Sequence, residues 1–499
     1  MQIDDLGRSG RFAELREFLR SAGYTEEFLR ARFQLERAEQ FELDREKRAP
    51  LPEAVSAADV LTALFLAGEF ASLAEAERLM GRHGVDLLSG MGLLAIDAAG
   101  SRCHASVALY PVADLHIASD RWSNPDDALF EAPNDTVYPA FIPNTRLFLE
   151  HVPLGACGGF LDLCAGTGIA AIMAAGQGAR EAWAGDIAER CTRFAEFNGR
   201  LNGVANFRAA TSDLYGSLAS FDRIVAHPPY VPALQPKWIF FSGGEDGEQI
   251  TRRIVEGLPA HLNDGGVFVA LTMGTDRSEA PFEGRIREWL GERGGEFDIA
   301  LIVRRILDPY DFAARANPQT GGSREESAAW KKLFGRLGVE SLVYGLVAIQ
   351  RRSGARRTFT VRRQASPGGR RAPWEWLLAW EGALQEGGPR LILDRPLHRG
   401  GDAEFQVRHR LEGGTWKPQR YTLRTEWPFH MECDAHPWMA NLISLCDGRA
   451  TGRELLRVLV ENEVLPGATP EEEFARAAVG LVSGGFIEVE GFRPPRAGG

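Results

Sequence analysis

The stretch Phe160-Leu-Asp-Leu-Cys-Ala-Gly-Thr-Gly-Ile169 decides the fold of this chain. An apolar strand breaks there into a glycine turn, and the turn feeds a helix. Three further segments follow: Gly185-Asp-Ile187, Thr211-Ser-Asp213, and residues 221–232, which read FDRIVAHPPYVP. Their spacing is that of successive strand ends, so the sequence predicts a doubly wound α/β sheet.

The residues at these strand ends favour a nucleotide-like ligand. Sheets of this kind bind ligands beyond the carboxyl ends of their parallel strands. Gly166 and Gly168 allow close backbone approach, because a glycine has no Cβ and a free φ angle. Asp186 follows Asp162 by 24 residues, where a carboxylate can accept both ribose hydroxyls and would repel a 2′-phosphate.

A dinucleotide dehydrogenase would carry Gly-x-Gly-x-x-Gly at this turn. Here the order is Asp162-x-Cys164-x-Gly166-x-Gly168, and an acid so close to the ligand suits a cation. We therefore infer S-adenosyl-L-methionine, with Asp162 near its ammonium, Asp186 on its ribose and Asp213 or its neighbours near the adenine. The predicted cofactor-binding residues of these turns are Asp162, Ala165, Gly166, Gly168, Asp186, Ile187, Asp213 and Leu214.

His227-Pro-Pro-Tyr230 carries a resemblance to a known family. The block from 142 to about 272 resembles the class I methyltransferases of the release-factor glutamine and amino-adenine type, whose fourth strand ends in Asn-Pro-Pro-Tyr. Phe141-Ile-Pro-Asn-Thr-Arg146 is similar to that family's Pro-x-x-Thr-Glu entrance segment, and Ser242-Gly-Gly-Glu-Asp-Gly247 to its Gly-Gly-x-Asp-Gly segment.

The resemblance implies a seven-stranded Rossmann-like sheet that ends in an antiparallel hairpin. It also implies that the entrance turn at Thr145 closes over bound cofactor, although Thr145 could equally cap the helix that follows. The implied site residues are, for catalysis, His227, Pro228 and Tyr230, and, for substrate, Pro229 and Val231.

The chain departs from the family at position 227. The family's asparagine oxygen and the next carbonyl accept the two hydrogens of a planar NH2 group. A neutral imidazole offers one acceptor nitrogen and is also a candidate general base. His227 could therefore be an acceptor, a base, or a ring that only packs beneath the loop.

Length and composition bound the remaining possibilities. A chain of 499 residues suggests about three domains. The net charge of −11 argues against wholesale coating of nucleic acid.

The six scattered cysteines predict reduced thiols. The lack of an apolar leader or long apolar run predicts a cytoplasmic enzyme. His430, Cys433 and His436 lack a fourth ligand, so no metal site is predicted.

The predicted domains follow the chain. Residues 1–118 form a helical, winged-helix-like module, and residues 119–350 form the methyltransferase domain, with a connector over 119–141. Residues 351–425 form a basic linker and β-rich region, and residues 426–499 a second winged-helix-like module.

The predicted activity is S-adenosylmethionine-dependent methylation of a protein or peptide at nitrogen. A peptide-module-like tail and the overall acidity favour a polypeptide. The eight arginines of Arg351–Arg371 favour RNA or DNA, or form only a charged edge and linker. Base methylation of nucleic acid, O-methylation with His227 as base, and binding of the cofactor without catalysis stay open as alternatives.

Overall fold

The computed structural model describes residues 5–44, 46–126, 130–234, 238–315 and 324–494. The chain divides into two compact units, Met1–Asn263 and Asp264–Gly499. In the described residues, no helix is both long enough and apolar enough to cross a bilayer.

The first unit begins with a small three-stranded sheet among helices. The three strands are ordered β1-β3-β2 in this sheet. Helix α4 is broken at Gly81. Along the chain, the elements from α3 onward therefore follow the order helix, strand, helix, helix, strand, strand. The winged-helix-like interpretation of residues 1–118 and the boundary at 118 stay predictions. Leu87 and Leu88 are buried in α4. The elements are α1 (Phe12–Ser21), α2 (Glu26–Phe33), α3 (Ala57–Leu61), β1 (Ala71–Ser72), α4 (Leu73–Gly90), β2 (Leu94–Ile96) and β3 (Arg102–Ala105).

A hairpin and an irregular connector lead to the main sheet. β4 (Ala108–Val112) and β5 (Leu115–Ser119) pair in antiparallel fashion. The described residues from 120 to 142 contain no helix or strand, as the connector prediction requires. Buried Asp120 fastens this connector, since it accepts hydrogen bonds from the Arg190 guanidinium and from the Val137 amide.

Helix α5 (Pro143–Leu149) opens with proline at its first turn and Ile142 as N-cap. Proline suits this position because its missing N–H would be unpaired in any case. Thr145 therefore lies inside the helix, and the expectation that it caps the helix is wrong.

Four parallel strands form the sheet of the first unit. β6 pairs with β7 on one side and β9 on the other, and β7 pairs with β8. The chain runs outward from β6 to β8 and returns to β9, so the topological switch point lies between β6 and β9. The elements are β6 (Cys157–Leu163), α6 (Ile169–Gly176), β7 (Ala179–Asp186), α7 (Glu189–Asn202), β8 (Phe207–Thr211), β9 (Phe221–Ala226) and α8 (Gln249–His261).

Residues before 119 pack directly on α7. The rings of Phe12 and Phe197 lie 5.4 Å apart. Asn198, fully buried, accepts from the Ala118 amide at 2.7 Å and donates to its carbonyl at 3.0 Å. One turn later, Asn202 exchanges the same two bonds with His116. The two amide side chains thus satisfy the backbone of β5 as a neighbouring strand would.

The second unit contains a group of antiparallel strands. β12 lies between β10 and β11 and is antiparallel to both, with Val347 opposite Ala270 and Leu301. The Rossmann-like α/β fold is confirmed. The elements are β10 (Leu262–Arg277), α9 (Phe282–Trp289), β11 (Phe297–Leu307), α10 (Pro309–Arg315), α11 (Arg324–Leu337) and β12 (Val339–Arg351).

The sheet of the second unit extends through β13, β17, β16 and β15, in that order from β11. The expectation that 351–425 is β-rich is wrong for 371–387, which form a helix. Trp374, Leu378 and Glu381 lie on its buried face at spacings of four and three residues, the period of a helix rather than of a strand. The elements are β13 (Thr360–Ala365), α12 (Arg371–Gly387), β14 (Pro396–Arg399), β15 (Glu404–Glu412), β16 (Thr415–Thr425) and β17 (Phe429–Asp434).

The chain ends in the order helix, strand, helix, helix, strand. The small sheet there is ordered β18-β14-β19, so its central strand comes from residues 396–399, before the predicted boundary at 425. The winged-helix-like interpretation of 426–499 stays a prediction. The elements are α13 (Pro437–Leu445), β18 (Asp447–Thr451), α14 (Gly452–Glu461), α15 (Glu471–Ser483) and β19 (Ile487–Val489).

Candidate active site

The glycine turn after β6 has open space beside Gly166 but is tightly packed at Gly168. A Cβ added at Gly168 would lie 2.8 Å from the Cβ of Ala195, whereas one added at Gly166 would meet nothing within 4 Å. Both glycines have positive φ, and so does Cys164, at +55°, a conformation that costs a non-glycine residue energy. The turn therefore packs closely on α7 and leaves open space at Gly166.

Asp186 holds this turn in place. Its two carboxylate oxygens accept hydrogen bonds from the amides of Gly166, at 2.9 Å, and Ala188, at 3.0 Å. Burial raises the pKa of this carboxyl, and the two amide bonds partly offset the rise. The Cys191 thiol and the Ile187 amide also hydrogen-bond to this carboxylate. Ile187 beside it is 55% exposed, which offers an apolar surface to a flat ring.

Asp162 has a different environment from the one predicted. It is only 3% exposed, and its carboxylate accepts the amide of Ala171 in the first turn of α6. Burial, and then the charge of Asp186, raise its pKa well above the usual range. Asp162 thus caps α6 beneath the turn, and its contact with an ammonium group stays a prediction.

The end of β8 lies against the end of β7. The Ser212 amide donates to the Asp186 carbonyl at 2.7 Å, and the Ser212 hydroxyl donates to the Leu214 carbonyl. Asp213 faces solvent and forms an ion pair with Arg253 at 2.8 Å. The structure therefore brings the predicted turns after β6, β7 and β8 together, with Leu214 in a left-handed conformation, φ +54°.

His227 follows β9 and lies between two aromatic rings. Its ring centroid is 5.2 Å from that of Phe148 and 5.9 Å from that of Tyr230. Burial lowers the pKa of His227 to about 4. The imidazole is therefore neutral near pH 7 and keeps one ring nitrogen as a hydrogen-bond acceptor.

Helix α5 fixes this arrangement from one side. Asn144 donates from Nδ2 to the Tyr230 hydroxyl at 2.6 Å, and Phe148, four residues later, stacks on His227. Residues four apart share one helix face. Sequence reasoning missed Asn144 and Phe148 as site residues, and only their spacing could have indicated them. Thr145 is half-buried on the same helix, and its cofactor role stays a prediction.

The glycine-rich segment 242–247 packs against the loop that carries His227 and Tyr230. The Gly243 amide donates to the Val231 carbonyl at 2.9 Å. A Cβ added at Gly243 would lie 2.4 Å from the Gly247 carbonyl oxygen and 2.8 Å from the Cα of Tyr230. The backbones approach so closely that no larger residue fits. Pro228 is buried, and Pro229 and Val231 are half-buried in this loop.

The arginine-rich stretch 351–371 belongs to the second unit, and carboxylates pair with most of its arginines. Arg356 pairs with fully buried Asp298, and Arg362 lies 2.8 Å from Asp276. The remaining ion pairs of the stretch include Arg351 with Glu296, Arg363 with Glu381 and Arg371 with Glu375. The structure gives no support to a free nucleic-acid patch, and β13 is no edge strand, since β11 and β17 flank it.

Cysteines and candidate metal ligands add no further site. All six cysteines are free thiols. In the part of the chain that the structure describes, no three His, Cys, Asp or Glu side chains are grouped to hold a metal ion. His430 contacts the Glu426 carboxylate at 3.1 Å.

Comparison with known proteins gives the class of this domain. Residues 141–280 match the family described as the methyltransferase small domain. The prediction of a class I S-adenosylmethionine-dependent methyltransferase type is thereby confirmed for this segment.

Three curated relatives carry more specific names. One from Methanocaldococcus jannaschii, named as a protein N5-glutamine methyltransferase, is 35% identical over 118 residues, 22% of this chain and 59% of the relative. The ribosomal protein uL3 glutamine methyltransferase of Bradyrhizobium diazoefficiens is 30% identical, over 30% of this chain and 51% of the relative. The release factor glutamine methyltransferase of Thermodesulfovibrio yellowstonii is 32% identical, over 23% and 46%. The chain spans about half the length of these relatives.

Proposed function

We propose that this protein transfers the methyl group of S-adenosyl-L-methionine to a nitrogen atom of a protein or peptide in the cytoplasm. One observation carries the proposal. A neutral imidazole and a Pro-Pro-Tyr loop follow β9 at the topological switch point, beside the glycine turn that follows β6.

The residues present fit the cofactor. Open space at Gly166 allows an adenosyl group to lie on the turn. The carboxylate of Asp186 at the end of β7 can accept hydrogen bonds from the ribose hydroxyls, and Ile187 offers its exposed side chain to the adenine. The bound cofactor would supply an electrophilic methyl group on a sulfonium.

The substrate nitrogen is held by acceptors on the loop. The Pro228 carbonyl and one ring nitrogen of neutral His227 can accept the two hydrogens of an NH2 group, and so point the nitrogen lone pair at the methyl group. The aromatic rings of Phe148 and Tyr230 fix the imidazole plane. The names of the three relatives support a glutamine side-chain amide as this group.

The test uses the isolated full-length protein, cofactor with a labelled methyl group, and a cell extract. We expect label in protein, released by protease and resistant to nuclease, and recovered as a methylated nitrogen after hydrolysis. Label that survives protease and is lost to nuclease would instead identify a nucleic-acid substrate. Cofactor binding without turnover in any extract would identify a binding protein. His227→Asn and Asp186→Ala serve as site variants, and Glu472→Ala, on the exposed face of α15, as a comparison outside the site.

A further inference from the structure

The hairpin of β15 and β16, residues 404–425, is here named the arm. From 406 to 420 its residues are exposed apart from half-buried Glu412. β15 is the outermost strand of the described sheet and pairs with β16 alone. A two-stranded hairpin with no covered face is marginally stable in water, so a partner that covers it would stabilise it.

One face of the arm is apolar. The exposed fractions of Val407, Leu411 and Trp416 are 39%, 54% and 66%, and Leu411 lies directly opposite Trp416. Phe405 and Tyr421 continue this face, with ring centroids 5.8 Å apart. Large exposed aromatic and aliphatic side chains in a row are typical of interaction sites.

The other face is basic. Arg408 lies opposite Arg420, and Arg410 opposite Lys417. Like charges directly opposite each other destabilise a sheet. Arg420 has Asp434 as partner at 2.6 Å and Lys417 has Glu412 at 3.9 Å.

The two arginines of the outer strand lack such partners. In the described part of the chain, Arg408 and Arg410 form no ion pair, although the protein as a whole carries a net charge of −11. These two cations therefore remain available to carboxylates from another molecule.

We propose that the outer strand of the arm binds an extended segment of another polypeptide in which acidic and apolar residues alternate. An added strand pairs with the free backbone groups of an edge, and its side chains alternate between the two faces. Acidic residues would then lie beside Arg408 and Arg410, and apolar ones beside Val407 and Leu411. The proposal does not depend on methyl transfer.

A polypeptide fits this surface better than RNA does. Phosphates would use the basic face, yet they would leave both the backbone groups of the edge and the apolar face without a role. The positive charges of Arg408 and Arg410 would repel the same edge of a second copy of this chain. A partner strand that carries carboxylates would instead be attracted to them.

The experiment measures binding of labelled peptides to the full-length protein by fluorescence anisotropy. One peptide alternates Glu and Val. A second has the same composition with its glutamates in one block, and a third is the alternating peptide with N-methyl groups along its backbone. A single-stranded RNA of similar length is the fourth probe. We expect the alternating peptide to bind at least about tenfold more tightly than the other three.

The arginine variant gives the matched comparison. Arg408→Ser with Arg410→Ser should weaken binding of the alternating peptide about fivefold to tenfold, as expected for two exposed ion pairs. Arg449→Ser with Arg476→Ser removes two exposed cations elsewhere in the same unit and should leave binding unchanged. Equal affinity for the two Glu-Val peptides, lack of binding, or RNA binding that the arginine variant abolishes would each overturn the proposal.

Discussion

At position 227, an imidazole stands where the resembled family has an amide, and its surroundings favour one of its two possible roles. Flanked by Phe148 and Tyr230, the ring has a pKa near 4, and an effective general base has a pKa near the working pH. The acceptor role is therefore favoured over the base role. Motifs alone predicted His227 and the glycine turn. They could not supply Phe148 and Asn144, because these residues reach the loop only through the packing of α5.

His227→Asn should retain methyl-transfer activity. The asparagine oxygen replaces the ring nitrogen as acceptor, so we expect a rate within about tenfold of the original, with cofactor affinity unchanged. The rate is measured with the native substrate under saturating cofactor. A loss of about 10² to 10⁴ in rate at normal cofactor affinity would contradict this expectation and establish proton removal by the imidazole.

The ring protons of His227 should titrate near pH 4 rather than near 6.5, as NMR of the folded protein would detect. Because the folded-state pKa lies below the unfolded one, the unfolded chain binds more protons between these values. The stability linked to this group is complete above about pH 6.5 and declines as pH falls toward 4. His227→Asn should flatten that part of the stability profile, and an unchanged profile would argue against the lowered pKa of this ring.

Among the elements, helix α12 and the paired arginines show where sequence patterns fall short. The tryptophans of α12 suggest strands by residue type, and only their spacing reveals the helix. The arginines of 351–371 form a basic run in the sequence, yet several of their carboxylate partners lie far from them in the chain, as Asp276 does from Arg362. Local composition cannot predict such partners. The strands and turns of the methyltransferase segment were predicted because their signals are local.

Gly243→Ala should disrupt the loop that bears His227. The added Cβ would lie 2.4 Å from a backbone oxygen, so the segment must move, and with it Tyr230. We expect destabilisation of about 1–3 kcal/mol and loss of methyl transfer. Thermal unfolding measures the first effect, and the transfer assay measures the second.

Gly335→Ala is the matched control. A Cβ there meets nothing within 4 Å, and alanine favours a helix such as α11 by up to about 1 kcal/mol. Normal transfer by Gly243→Ala would show that the close approach does not position the loop.

At the scale of the whole molecule, ion pairs fasten the second compact unit internally. Asp298 is fully buried against the Arg356 guanidinium, with Nη1 to Oδ1 at 3.1 Å. The division into units at 263 differs from any predicted boundary, because packing between distant segments, rather than composition, sets compactness.

Arg356→Met should destabilise the protein by about 3–5 kcal/mol, since it leaves a buried carboxylate without its cation. Denaturant unfolding monitored by tryptophan fluorescence measures the change. The neighbouring exposed Arg357→Met should cost less than about 0.5 kcal/mol. If Asp298→Asn combined with Arg356→Met is as unstable as Arg356→Met alone, the cost does not arise from the unpaired charge.

The contact between β5 and α7 has a consequence for exchange of the segment that precedes residue 119. Asn198 and Asn202 complete the hydrogen bonding of β5, and Asn198 also donates to the Thr167 carbonyl in the glycine turn. Recombination that replaced the N-terminal segment alone would leave these amides facing a foreign backbone. A replacement segment would therefore have to place a strand where β5 lies in order to satisfy both amides.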